Sequence, residues 1–479
     1  MGKIVFVIKK YVTRASVLAI TLAIGLSIFL LSPAQAPMRC SNCNVILISI
    51  DTLGAKHLGL YGYDVPASPF LDEISKERGI VFDNAISQAP WTLPSHAAML
   101  TSRYPAELNI WTPIDALAKE VKTIAEVLKE NGLITQAFSY GAFVQPEWGF
   151  DQGFDGFSGS LSQNDWDDVP LIFENSIEWI QENHREQFFL FIHSFHVHDP
   201  YTPSPEAVEK ISATKISEVY INDIVKANVS PSGPSEEISA EFRKAYDGEI
   251  RELDEALRYF FQELDLLGLT DNTVVIFTAD HGEEFGEHGT SGFHIALYNE
   301  TIHVPLIMFI PGTQAQRVRT VSEIRALPPT IIDILNLNQE PFFQVESLLV
   351  GVMEEDLEKV ALTTTAQKRG EVFSIIEDAY ANIEQFGKTI FPKPREKEWE
   401  GLYSSSARSY RWHIILNFDG TFELYDLLSD YSEQNNLFPL WAELPSEDRR
   451  EALIVLRALS ADIPIPCGIY CPYQYFNEE

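Results

Sequence analysis

The chain has 479 residues, 45% hydrophobic and 12% aromatic, a composition that suits a globular protein rather than a disordered one and allows a large core with an appended smaller unit. Its 69 acidic residues against 35 Lys and Arg give a formal net charge of -34. Such a surface repels nucleic acid and anionic lipid, so an anionic substrate needs local help from a metal or from histidine.

Residues 1–36 begin basic (Lys9, Lys10, Arg14), run apolar from Ala15 to Leu31, and end on Ala34-Gln35-Ala36. This is the layout of a secretory signal peptide with a small-x-small cleavage site. The alternative is an uncleaved N-terminal membrane anchor, because the apolar run approaches the length of a span. Either way the rest of the chain lies outside the cytoplasm, periplasmic or secreted. Cys40 and Cys43 come next, and Cys467 and Cys471 close the chain. With export and no flanking histidine, structural disulfides fit better than a zinc site. Local pairs and a bridge between the two ends both remain open. No lipobox precedes Cys40.

Residues 44–50 (Asn-Val-Ile-Leu-Ile-Ser-Ile) form a continuous apolar run, as a buried parallel strand requires, and the run stops at Asp51. Residues 123–132 predict an amphipathic helix closed by Gly132, with a short strand over 135–139 after it. A second apolar strand, 188–192, stops at His193; a third, 273–278, stops short of Asp280; a fourth covers 304–310. Helical patterns over 172–182 and 241–267 lie between them. The alternation predicts an α/β sandwich with a mostly parallel central sheet. Ligands in such sheets sit past the carboxyl ends of the strands. Asp51, the stretch from His193 to His198, and Asp280-His281 all lie there.

The stretch 205–240 is polar and reads as a surface insertion. From about Tyr403 the pattern changes. Residues 411–417, Asp419-Gly420 and 421–424 read as a hairpin, with a helix over 447–458. This is a small C-terminal α+β subdomain. The expected division is therefore a leader (1–36), a catalytic domain (37–400) and the C-terminal subdomain (401–479), with no internal repeats.

Residues 90–101, Pro-Trp-Thr-Leu-Pro-Ser-His-Ala-Ala-Met-Leu-Thr, carry the most information. They resemble the nucleophile segment of the sulfatase family, in the alkaline phosphatase superfamily. That segment normally reads Cys/Ser-x-Pro-Ser-Arg. The resemblance extends in order through Asp51-Thr52-Leu53 with His57-Leu58-Gly59, the helix 123–132, Gly149-Phe150-Asp151, Val197-His198-Asp199-Pro200-Tyr201, Tyr246-Asp247-Gly248 and Thr278-Ala279-Asp280-His281-Gly282. It continues through His294 and Asn299-Glu300 to Glu423-Leu424-Tyr425-Asp426-Leu427. It implies an alkaline phosphatase-like fold and cleavage of a sulfuric or phosphoric ester. It also implies a divalent metal held by Asp51, Asp280, His281 and Thr92.

Two departures bear on the chemistry. Thr92 stands where the family oxidises Cys or Ser to formylglycine, and threonine cannot give that aldehyde. His96 stands where the family has Arg; it would either contact the transferred anion or cap the following helix. Thr52 replaces a second Asp and His281 adds a nitrogen. Both changes move the site from Ca²⁺ towards Zn²⁺ or Mn²⁺. A threonine hydroxyl needs metal coordination to become a nucleophile; otherwise Thr92 is a capping hydroxyl ahead of a helix starting near Ser95. His198 and His294 match positions that contact the transferred group or the leaving oxygen. Either would serve as general acid, or both would hold a second metal. His193, His196 and His288 read as structural. Three readings follow: a phosphoester or phosphonate hydrolase or phosphotransferase using Thr92, a sulfatase working without formylglycine, and a non-catalytic binding protein. The substrate would be a small-molecule, glycan or lipid ester. Oligomeric state is open.

Overall fold

The computed structural model describes residues 38–141, 143–160, 169–212, 235–289, 294, 296–343, 345–353, 356, 359–365, 404–417 and 421–462. The leader, the middle of the polar insertion, Asp419-Gly420, Cys467 and Cys471 lie outside the described residues. Cys40 and Cys43 are joined by a disulfide, the local pairing.

In chain order the strands of the first half are β1 (Asn44–Ile50), β2 (Ile80–Phe82), β3 (Ala85–Ile86), β4 (Ile134–Tyr140), β5 (Gly156–Ser160) and β6 (Phe188–Ser194). Those of the second half are β7 (Thr273–Ala279), β8 (His303–Val304), β9 (Leu306–Phe309), β10 (Gln316–Val318), β11 (Ser322–Glu323), β12 (Ala361–Thr365), β13 (Ser404–Arg408), β14 (Trp412–Leu416) and β15 (Phe422–Asp426). Eight of them form the central sheet, in the order β10-β2-β9-β7-β1-β6-β4-β5. β1 lies in its middle, parallel to both β6 and β7. β1, β6 and β7 are buried at every position. Strands covered on both faces need apolar side chains on both, hence the unbroken hydrophobic runs. β9 runs antiparallel between β7 and β2.

The segment 304–310 does not form a single strand. Pro305 divides it into β8 and β9, which belong to different sheets, because proline has no N–H to give a ladder. The expected helix after Thr123 spans Ile124–Glu130. Thr123 accepts from the Glu126 amide, and the Glu126 side chain reciprocates. Gly132 follows at φ 93, the left-handed turn that the closing glycine predicts. The long helix Glu236–Leu266 starts earlier than its apolar pattern does, capped by the Ser235 hydroxyl. Its first turns therefore lie in what reads as insertion.

β12 to β15 form a separate antiparallel sheet. The helix Ser446–Asp462 packs on it through Ala452, Val455 and Leu459 against Leu362, Trp412, Ile414 and Leu424. β12 precedes residue 401, so this sheet recruits its edge strand from ahead of the expected boundary. No helix among the described residues is long and apolar enough to cross a membrane.

Candidate active site

Because β7, β1 and β6 are adjacent and parallel, their carboxyl ends deliver Asp280, Asp51 and His193 side by side. Thr92 arrives from another element. Its helix, Thr92–Thr101, begins three residues before the expected start at Ser95, with Trp91 as N-cap. Pro94 is tolerated because a first-turn residue has no intrahelical acceptor for its N–H. Thr92 is thus a first-turn residue, not a cap ahead of the helix.

The two carboxylates share one habit: each commits one oxygen to the protein and leaves the other open. Asp280 Oδ1 accepts from the amides of His281 (2.8 Å) and Thr52 (3.3 Å). Asp51 Oδ2 accepts from Thr92 Oγ1 at 3.3 Å and faces His193 Nε2 at 3.2 Å. Asp280 Oδ2 and Asp51 Oδ1 are buried with no hydrogen-bond partner among the described residues. His281 Nε2 lies 3.5 Å from each of those open oxygens. Its Nδ1–H donates to the Gly282 carbonyl at 2.9 Å, which leaves a lone pair on Nε2. Thr92 Oγ1 is 3.4 Å from the same nitrogen. Burying open carboxylate oxygens together costs several kcal/mol unless a cation joins them. Asp51, Asp280 and His281 bring ligand atoms within 4.8 Å of one another, so the residues present fit a metal. Burial pushes the Asp280 carboxyl up, but His281 and His96 outweigh it and hold it well below its usual range. Thr52 is committed elsewhere: its hydroxyl donates to the Val197 carbonyl at 2.7 Å.

His198 and His294 form the second half of the site. The His198 ring stacks on Phe195 with centroids 4.0 Å apart, and its Nδ1–H donates to the Asp199 carbonyl at 2.8 Å. The His294 ring lies 4.8 Å from that of His281 and 5.2 Å from that of His198. Among the described residues neither His294 nitrogen has a hydrogen-bond partner, though Nδ1 is 3.2 Å from Glu283 Oε1. Burial, then His281 and His198, push His294 well below the usual imidazole pKa, so its ring is neutral at pH 7. Tyr201 donates to Glu283 Oε2 at 2.5 Å. His198, Asp199 and His294 also place ligand atoms within 4.8 Å of one another.

His96 does not join them. It is fully buried behind Asp280, with Nδ1 3.0 Å from the Thr92 carbonyl and Nε2 3.0 Å from Ser49 Oγ. Both nitrogens are engaged within the protein, which leaves neither for a transferred anion. Burial lowers the His96 pKa, but Asp280 and Asp51 outweigh it and the net shift is upward. His193 is the residue that sequence reasoning passed over. It faces Asp51 and is not a bland core histidine. His196 and His288 pair with Glu252 and Glu300, as structural groups do.

A buried cation pocket at the carboxyl end of a mostly parallel sheet, with a hydroxyl beside it and two histidines opposite, defines a class of metal-dependent ester hydrolases. The sulfatase family model matches residues 43–337. The chain belongs to the sulfatase family, within the alkaline phosphatase superfamily, and is a hydrolase of that family. It is 25% identical over 430 residues to an ulvan-active sulfatase of Formosa agariphila, covering 82% of this chain and 76% of that one. It is 26% identical over 504 residues to iduronate 2-sulfatase of Mus musculus, covering 84% and 89%. Among solved structures, the phosphonate monoester hydrolase of Agrobacterium radiobacter aligns with a TM-score of 0.68 at 17% identity, covering 88% of this chain and 95% of that one. At that identity the likeness shows the fold alone.

Proposed function

We propose that the protein is an extracytoplasmic, metal-dependent hydrolase, or phosphotransferase, of phosphate or phosphonate esters, with Thr92 as nucleophile. The observation that carries this is the position of Thr92 Oγ1. It lies 3.3 Å from Asp51 Oδ2 and 3.4 Å from His281 Nε2, beside the two open carboxylate oxygens. Asp51, Asp280, His281 and Thr92 would hold the cation, and two carboxylates with an imidazole and a hydroxyl suit Zn²⁺ or Mn²⁺ better than Ca²⁺. When bound, the metal supplies Lewis acidity and lowers the pKa of the hydroxyl beside it.

The chain's residues then divide the work. Thr92 Oγ attacks phosphorus in line, and its proton leaves along the contact with Asp51 Oδ2. The bond to the leaving oxygen breaks, and that oxygen takes a proton from Nε2 of a doubly protonated His198, whose Nδ1–H stays on the Asp199 carbonyl. His294, held neutral by its surroundings, suits a hydrogen-bond donor to the transferred group better than a source of protons. Water then cleaves the Thr92 ester and regenerates the hydroxyl; an acceptor alcohol in place of water would make the protein a phosphotransferase. A cleaved leader, or one retained as an anchor, delivers the catalytic domain and its C-terminal subdomain to the periplasm or outside the cell. The substrate is a small-molecule, glycan or lipid ester.

A second reading, sulfuric ester hydrolysis without formylglycine, draws support from the sulfatase names of the sequence relatives. Turnover of nitrophenyl phosphate, bis-nitrophenyl phosphate, nitrophenyl phenylphosphonate and nitrophenyl sulfate, with Zn²⁺, Mn²⁺ or Ca²⁺ added, decides between them. The expected result is cleavage of a phosphorus ester that Thr92→Ala reduces by at least about 10³-fold. Sulfate cleavage alone favours the second reading. A Thr92→Ala enzyme with wild-type rates removes Thr92 from the chemistry.

A further inference from the structure

From the row of polar side chains beneath the site, we infer that His193, held by Ser139, is a positioning residue for Asp51 and sets the affinity of the metal site. The inference rests on the metal-site reading above. Ser139, His193 and Ser49 occupy matched register positions on three neighbouring parallel strands, β4, β6 and β1. Matched positions on adjacent strands carry side chains on the same face. The row is polar and buried, and the strand positions just before it, Phe138, Ile192 and Ile48, are apolar. His193 is completely buried among Phe191, His96 and the sheet.

An isolated imidazole there would cost free energy, yet both nitrogens have partners. Ser139 Oγ lies 3.0 Å from His193 Nδ1, and His193 Nε2 lies 3.2 Å from Asp51 Oδ2. Since a carboxylate oxygen only accepts, Nε2 carries the proton and Nδ1 accepts from the serine hydroxyl. The serine thus fixes the tautomer that lets His193 donate to Asp51. That bond occupies Oδ2 on the side away from the open oxygen, so it aims Oδ1 at the point shared with Asp280 Oδ2 and His281 Nε2. Outer partners of this kind orient metal-binding carboxylates, and their loss costs about 10- to 100-fold in metal affinity. A related support stands behind Asp280. His96 Nδ1 lies 3.3 Å from Asp280 Oδ2 and its Nε2 meets Ser49 Oγ, though Nδ1 spends its hydrogen bond on the Thr92 carbonyl. The Ser139–His193–Asp51 line is the one complete in hydrogen bonds, and it makes the sharper test.

The test measures zinc affinity of the full chain by competition with a chromophoric chelator, together with the melting temperature of the metal-free protein. His193→Ala is expected to weaken zinc about 10- to 100-fold. His193→Gln, whose amide keeps an N–H within reach of Asp51, is expected to recover most of that loss. Ser139→Ala, nearly isosteric, is expected to weaken zinc several-fold while the metal-free melting temperature stays close to wild type. If His193→Ala does not fold, the His193→Gln and Ser139→Ala pair carries the decision. Wild-type zinc affinity in a folded His193→Ala protein, or failing that in both other variants, overturns the positioning role and leaves the metal site standing. A wild-type protein that binds no zinc overturns the metal-site reading and this inference with it.

Discussion

Two buried carboxylate centres in this molecule are built from the same residue types to opposite ends. At the ends of β1 and β7, Asp51 and Asp280 each keep one oxygen without a hydrogen bond among the described residues. In the small-sheet region, Glu433 is equally buried, but both of its oxygens are taken: one by His413 Nδ1, the other by the Asn299 amide at 2.8 Å. A carboxylate whose hydrogen bonds are complete holds structure together and leaves nothing for a ligand. A carboxylate left half-open in a dry interior carries an unmet electrostatic demand, and a cation answers it. The contrast separates a site from a joint where burial and residue type do not.

That contrast can be broken. The largest expected effect is on turnover. Asp51→Asn should lower kcat/KM by at least about 100-fold and abolish the rise in melting temperature on adding zinc. The same change should leave the metal-free protein as stable as wild type or more so, because it removes a buried open charge. Loss of metal-free stability comparable to that of a core mutation would make Asp51 a joint like Glu433. Glu433→Gln should do the reverse. It breaks a buried pair and should cost about 3 kcal/mol in denaturant unfolding, with turnover per folded molecule preserved.

Acid should sharpen the picture at the joint. His303 bonds to Tyr431 and to the Asp83 carbonyl, and burial, aided by the Arg408 guanidinium, pushes its pKa down to about 3. The unfolded chain takes up a proton near pH 6.5 and the folded one only near 3, so stability falls as pH drops through that window. His303→Gln should flatten that part of the stability-against-pH curve. The smallest effect belongs to the Lys56–Glu287 pair, 2.6 Å apart and partly exposed. Burial raises Glu287, but Lys56 outweighs it and brings the carboxyl down to about 2. Its folded pKa is depressed, so the stabilisation is complete above the unfolded value near 4.5 and is lost as pH falls towards 2. Lys56→Met should remove about 1 kcal/mol of stability at neutral pH and flatten the acid limb over that range.

Much of the candidate site is legible in the sequence. A buried parallel strand must be apolar on both faces, so β1 and β7 announce themselves and end at Asp51 and before Asp280. His281, His198 and His294 follow from the family resemblance, and the structure gathers them around the same point. The sequence reads His193 as structural, and nothing in a lone histidine at the end of an apolar run says which residues it bonds; the structure places it between Ser139 and Asp51. The available clue was the polar residue near the end of each of three runs: Ser49, Ser139 and His193. It becomes meaningful only once those strands are neighbours in register. The start of the helix at Thr92 and the division at Pro305 are not legible in the sequence for a related reason. Helix onset and strand continuity depend on which partners receive the freed backbone groups.

What the sequence determined by itself is local: which runs are buried, where each stops, which cap begins a helix, and that threonine stands where the family pattern has Cys or Ser. What only the tertiary structure decided is which oxygen of each aspartate stays open. It also decided that His96 turns inward to Ser49, and that Ser139 and His193 stand behind Asp51. Those outcomes join residues 41 to 189 positions apart. Periodicity and propensity act within a few residues. Strand order, register and packing set which distant polar atoms meet in the dry interior, and there an unmet partner costs enough to define a site.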